Sequence, residues 1–217
     1  MDFVAARRRM VDNQIRPNRI TDPLVIEAML AVPRELFLPP MQRGIAYVDE
    51  DIPLGGGRYL PEPLVTAQLL QVAEIAPTSL VLVVGSGSGY LAALAARMAS
   101  LVVALENDPE LAEHAKETLA ELGIDTVTHV VGPLTAGWAD LAPYDVIIFG
   151  GAVEHIPDAF EAQLAEGGRM VAVVADTHGL GKVTLMLKSS GVLSRRAVFD
   201  AATPLLPDFE VQPTFRF

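Results

Sequence analysis

The residues best placed to do chemistry are the run Val84-Gly85-Ser86-Gly87-Ser88-Gly89 and the acid Glu106. Alternating glycines let a backbone turn tightly and approach a ligand without Cβ collisions. A helix starting directly after such a loop offers its N-terminus to a polar or anionic group. Gly85 and Gly87 fit the dinucleotide fingerprint G-x-G-x-x-G, but its last position holds Tyr90. The spacing is G-x-G-x-G, closed by Gly89, and favours S-adenosylmethionine over NAD. A plain tight turn is the competing reading of the glycines alone. Glu106 follows the next apolar run at once, 106 − 85 = 21 residues after Gly85. A carboxylate there can accept hydrogen bonds from both hydroxyls of a ribose. An exposed acid at a strand end is the plainer alternative. Asn107, beside it, is a candidate adenine or ribose contact.

Other chemistries find no footing. The absence of cysteine excludes disulfides, a thiolate nucleophile and cysteine metal sites. His114, His129, His155 and His178 show no metal-ligand spacing, so no metal is expected, and no catalytic acid or base is assigned. With 16 Lys plus Arg against 27 Asp plus Glu, the net charge of −11 argues against a nucleic-acid partner. Arg7-Arg8-Arg9 reads as an exposed helix face. The 51% apolar content excludes a disordered chain. No apolar run approaches the ~18–20 residues of a membrane span, so no membrane partner is expected. The start, MDFVAARRRMVDNQ, does not read as a secretory signal, and the expected location is the cytoplasm.

These residues need elements to position them. Residues 1–60 read as an N-terminal helical extension leading into a loop, and residues 61–217 as an α/β domain. In the first part, helices are expected over Phe3 to Ile15 and from Pro23, capped by Thr21 or Asp22. A short turn follows at Pro33 to Phe37. Ile52 to Pro63, with Gly55 to Gly57 and three prolines, is expected to form an irregular loop. In the second part, strands are expected at Leu80 to Val84, Leu101 to Leu105, Thr126 to Val131, Asp145 to Phe149 and Arg169 to Ala175. Continuous apolar runs of this kind suit a parallel sheet buried on both faces. Helices are expected over Leu64 to Ala73, Tyr90 to Met98, Pro109 to Leu122 and Pro157 to Leu164. Lys182 to Lys188 and Arg195 to Asp200 flank Ser189-Ser190-Gly191 as an antiparallel C-terminal pair.

Several blocks then carry a likeness. Met10-Val11-Asp12-Asn13-Gln14-Ile15, Ile20-Thr21-Asp22-Pro23-Leu24-Val25 and Val32-Pro33-Arg34-Glu35-Leu36-Phe37 open it. Ile52-Pro53-Leu54-Gly55, Gly137-Trp138, Ala142-Pro143-Tyr144-Asp145 and Glu166-Gly167-Gly168-Arg169 continue it. Their order and spacing resemble the protein-L-isoaspartate O-methyltransferase family nearly end to end. The resemblance implies a Rossmann-like methyltransferase fold, with a mostly parallel sheet and antiparallel C-terminal strands. It implies methyl transfer from S-adenosylmethionine to the carboxylate of L-isoaspartyl or D-aspartyl residues in damaged proteins, a repair reaction. The expected cofactor contacts are Gly85, Ser86, Gly87, Gly89, Glu106, Asn107 and Leu134, the last through its backbone N–H. The expected substrate contacts are Gly57, Arg58, Tyr59, Leu60, Pro61, Glu62 and Val153.

The chain also departs from that family's pattern. Val83 stands where the family has an acid, and Pro133 follows Gly132 where another acid is usual. The family's substrate loop, Gln-Thr-Ile-Ser-Gln-Pro, is here Arg58-Tyr59-Leu60-Pro61-Glu62-Pro63. Arg58 could clamp a substrate carboxylate, or pair with Glu62 on the surface. Gly150-Gly151-Ala152 replaces Thr-Ala-Ala and is expected to widen the site. Two alternatives stay open: a methyltransferase for another acceptor, and an inactive cofactor-binding or scaffold relative.

Overall fold

A computed structural model of the chain describes residues 1–176 and 181–211. His178 lies outside them. The expected strands assemble into one seven-stranded sheet. Its members are β3 (Leu80–Val84), β4 (Leu101–Glu106), β5 (Val127–Val131), β6 (Tyr144–Val153), β7 (Leu164–Ala175), β8 (Gly181–Ser189) and β9 (Val192–Ala201). The order is β5-β4-β3-β6-β7-β8-β9, parallel from β5 to β7 and antiparallel across β8 and β9. Because β3 lies between β4 and β6, the chain reverses direction of travel across the sheet at that strand. The carboxyl ends of β3 and β4 therefore frame a crevice, the usual ligand position in such sheets.

Side chains along β3 alternate between two cores, as the two-residue strand period requires. Val81 and Val83 join the core on one face, with the N-terminal helices and Tyr90. Leu82 and Val84 join the other, with Tyr144, Phe149, Phe160 and Phe209. The first core contains Met10, Ile15, Val25, Met29 and Phe37 together with strand residues. The N-terminal region is thus packed into the same apolar cluster as the sheet.

Local signals place the helices. They are α1 (Phe3–Met10), α2 (Pro23–Ala31), α3 (Pro63–Ala73), α4 (Tyr90–Ala96), α5 (Pro109–Glu121) and α6 (Ala159–Gln163). Asp22 caps α2 by accepting from Leu24 N at 2.8 Å, with Pro23 in the first turn. Asp108 caps α5, accepting from Glu110 N and Leu111 N at 2.9 and 3.2 Å. No helix of the described residues is long and apolar enough to cross a membrane.

Three details differ from expectation. The first helix stops at Met10 and continues as a π-helical turn, Val11–Ile15. Strand β6 runs on past Phe149 to Val153, with an irregular register against β7 between Ile148 and Ala152. The supposed loop at Ile52 to Pro63 contains a β-hairpin, β1 (Ile52–Gly55) and β2 (Arg58–Leu60). Gly55, Gly56 and Gly57 all adopt positive φ, at 97°, 55° and 75°. The glycines that suggested irregularity are what allow the tight reversal.

Arg34 fastens this hairpin to the body. It is fully buried, donating from Nε to Ala46 O at 2.7 Å and from a terminal nitrogen to Pro61 O at 2.8 Å. Its guanidinium also lies 4.9 Å from the centre of the Tyr90 ring. Losing two charge-assisted hydrogen bonds in a dry site costs about 3 kcal/mol or more. Arg34→Ala should therefore lower Tm by roughly 6–12 °C in a thermal melt. Arg34→Lys should recover less than half of the loss, because an ammonium cannot fork to both carbonyls. An unchanged Tm for Arg34→Ala would refute this anchoring role.

Candidate active site

The glycine loop sits at the end of β3, where the crevice was expected. Gly85 N and Ser86 N donate to Leu105 O at 2.9 and 3.0 Å, which ties the loop to β4. Gly87 N donates to a Glu106 carboxylate oxygen at 2.6 Å. Glu106 also accepts from Asn107 N at 3.0 Å and Asp108 N at 3.4 Å. Loop and acid, 21 residues apart in sequence (106 − 85), are thus one hydrogen-bonded unit.

The decisive contact comes from the hairpin. Arg58 Nε donates to Glu106 Oε1 at 3.2 Å, and an Arg58 terminal nitrogen donates to Oε2 at 3.0 Å. This is a two-pronged guanidinium–carboxylate pair. Arg58 is 3% exposed and Glu106 0%. Neither of the two roles expected for Arg58, a substrate clamp or a surface pair with Glu62, describes where its guanidinium lies. It lies on the carboxylate expected to hold a ribose.

A second intrusion comes from the C-terminal segment. Ala152 N donates to Pro204 O at 3.0 Å and Leu206 N donates to Ala152 O at 2.8 Å, laying this segment along the end of β6. A β-carbon on Gly85 would lie 2.6 Å from a Leu206 methyl and 2.9 Å from the Arg58 guanidinium. One on Gly151 would lie 2.9 Å from Leu206. Gly150-Gly151 therefore does not widen the site: the space next to Gly151 is taken by Leu206, and Gly150 packs against Gly85 O.

A small cavity of about 10 Å³ lies among Tyr59, Leu60, Pro61, Ser86, Ser88 and Tyr90. That volume holds about one water molecule. The polar groups suit a nucleoside: Ser86 Oγ, Ser88 Oγ and Asn107 Oδ1 are buried without a hydrogen-bond partner among the described residues. In this closed arrangement the Arg58 guanidinium and Leu206 occupy the space against Gly85, beside those groups.

The expected substrate residues line the rim. Gly57 is exposed in the hairpin turn, Tyr59 is half-buried and Leu60 is buried. Pro61 offers its carbonyl to Arg34. Glu62 N donates to Asp51 Oδ1 at 3.0 Å, and Thr203 Oγ1 donates to the same oxygen at 2.9 Å. Burial, then the neighbouring Asp49 and Asp51, push the Glu62 carboxyl up to about 7, with Arg34 opposing. Burial likewise raises Asp51. Val153 and Leu134 belong to the second apolar core and have no exposed surface. Sequence reasoning did not single out Leu206, Asp51 or Thr203. Asp51 had a weak signal, an acid beside a functional loop, whereas Leu206 had none.

The family model described as protein-L-isoaspartate(D-aspartate) O-methyltransferase matches residues 5–200. A protein-L-isoaspartate O-methyltransferase of Koribacter versatilis is 39% identical, covering 91% of this chain and 89% of its own. Protein-L-isoaspartate O-methyltransferase 1 of Rhodopseudomonas palustris is 38% identical, covering 87% and 77%. A solved protein-L-isoaspartate O-methyltransferase superimposes with a TM-score of 0.80 at 26% identity, over 92% of this chain and 65% of that longer one. A Plasmodium falciparum structure, titled a putative protein-L-isoaspartate O-methyltransferase in complex with S-adenosyl-L-homocysteine, shares the fold at TM-score 0.76 and 21% identity. The chain belongs to the protein-L-isoaspartate(D-aspartate) O-methyltransferase family, and with it is an enzyme that carries a methyl group from S-adenosylmethionine to the carboxylate of isoaspartyl residues.

Proposed function

We propose that this chain performs the family reaction with its donor-binding face at Gly85, Ser86, Gly87, Gly89, Glu106, Asn107 and Leu134, and its acceptor over Gly57 to Glu62. The observation that carries this reading is the hydrogen-bonded unit of glycine loop and Glu106 at the crevice. In that unit a carboxylate faces the position where a ribose binds in sheets of this type. Val153, the buried last residue of β6, supports this surface from within the sheet. A nucleic-acid acceptor is disfavoured by the net charge of −11.

The acceptor chemistry asks little of the protein. A carboxylate with a pKa near ~4 is already ionised at neutral pH, so no general base is required. The chain's contribution is to orient the attacking oxygen and to exclude water. The test is methyl-ester formation on an isoaspartyl peptide, beside the same peptide with ordinary aspartate. Ester on the isoaspartyl peptide alone supports the reading. No ester on either, at millimolar donor, sinks it.

The rim has its own electrostatic signature. With its pKa near 7, Glu62 becomes anionic as pH rises through neutrality, next to Asp49 and Asp51. A carboxylate acceptor then meets more repulsion. The acceptor KM should rise about fivefold between pH 6 and 8.5, a screened effect of about 1 kcal/mol, and Glu62→Gln should flatten that rise.

Stability follows the same group. Its folded pKa is raised above the unfolded value of 4.5, so its stabilising contribution is full below that value. It is lost as pH climbs through about 7. Discounted for partial exposure, Glu62→Gln should raise Tm at pH 8 by about 2–4 °C and leave it nearly unchanged at pH 5. Equal shifts at both pH values would remove Glu62 as the titrating group.

A further inference from the structure

Arg58 and Glu106 are an unequal pair. If Arg58 departs, Glu106 keeps the amides of Gly87, Asn107 and Asp108. Among the described residues, Arg58 has no such reserve: its guanidinium donates only to Glu106. Lifted off, that cation needs another anion. Its position decides which anion can supply it: Arg58 opens β2 and is followed directly by Tyr59 to Glu62, the proposed acceptor surface. The turn before it is Gly55-Gly56-Gly57. Gly55 and Gly57 have no atom within contact distance of an added β-carbon, and all three turn glycines hold positive φ.

We infer that the Arg58–Glu106 pair is a lock on the methyl donor's site, opened by exchange of partners: the acceptor's carboxylate takes Arg58, and the donor's ribose hydroxyls take Glu106. The inference rests on the donor and acceptor surfaces proposed above. In the closed arrangement the guanidinium sits where the ribose would, against Gly85. Each reactant draws one half of the pair away from the other, so each one lowers the cost of admitting its partner. Donor and acceptor binding are then positively coupled, and by linkage the factor is the same in both directions. The coupling protects the donor: the site opens fully only when an acceptor is present to be methylated. A tenfold gain in donor affinity requires that about 90% of molecules be closed before the acceptor arrives. Arg58 is a positioning residue in this scheme, and its effect is read on binding as well as on rate.

The test is calorimetric titration of the full chain with S-adenosylhomocysteine, alone and with a millimolar isoaspartyl peptide. The expected result is weak binding alone and at least tenfold tighter binding with the peptide. Arg58→Gln, which restores the residue type of the resembled loop, should bind S-adenosylhomocysteine at least tenfold more tightly than wild type without peptide. It should also lose the peptide effect. The wild-type pair of titrations needs no variant, so it decides the matter even if Arg58→Gln fails to fold. Micromolar wild-type binding that neither the peptide nor the substitution changes would overturn the lock. A gain in Arg58→Gln with no peptide effect in wild type would overturn the exchange. The family reaction is judged separately, by methyl-ester formation. Ester formed by a chain that shows no coupling leaves that reaction standing and removes this inference. No binding by either protein and no ester removes both.

Discussion

A carboxylate with no access to water must be surrounded by donors, and Glu106 is in that position. Both reachable nitrogens of Arg58 and three backbone amides converge on it. An isolated buried charge costs several kcal/mol or more, so this cluster cannot be loosely made. Its demands run outward. The glycine loop must turn so that Gly87 N faces the acid, and the hairpin must reach over the crevice to deliver Arg58. Gly85 must lack a side chain for the guanidinium to lie against it.

The hairpin in turn depends on the N-terminal helices. Arg34, buried among them, holds Pro61 at the end of β2 and Ala46 at the approach to β1. The same region is tied down by Arg7, which donates to Tyr47 at 3.2 Å and to the carbonyls of Leu30 and Ala31 at 3.2 and 2.9 Å. The N-terminal extension is thus the frame that carries the hairpin. Its apolar residues share a core with the sheet, which holds the hairpin over the strand ends. On the opposite side the segment around Leu206 follows β6 and completes the closure.

Much of this was legible in the sequence. The strand runs announced themselves because a parallel sheet buried on both faces needs continuous apolar stretches, as in Leu80 to Val84 and Leu101 to Leu105. Asp22-Pro23 and Asp108-Pro109 marked helix starts through local hydrogen bonds that need only neighbouring residues. The glycine loop and Glu106 could be paired because the strand–helix–strand unit between them has a nearly fixed length. The hairpin at Ile52 to Leu60 was missed: consecutive glycines signal a turn, but not what flanks it, and strands this short carry too few residues to show a period.

The sequence by itself determined the succession of the sheet's strands, the family and the acid beside the glycine loop, because each is written in runs or blocks of neighbouring residues. Only the tertiary structure decided which cation that acid meets. Arg58 and Glu106 are 48 residues apart, and Leu206 is farther still from Gly85. No local pattern distinguishes an arginine aimed at solvent from one aimed at a buried carboxylate. The choice is made by the sheet's strand order, which brings the ends of β3, β4 and β6 together, and by the N-terminal frame, which lays the hairpin across them. Charge burial then fixes the pair, because once those elements close, neither ion has water to turn to.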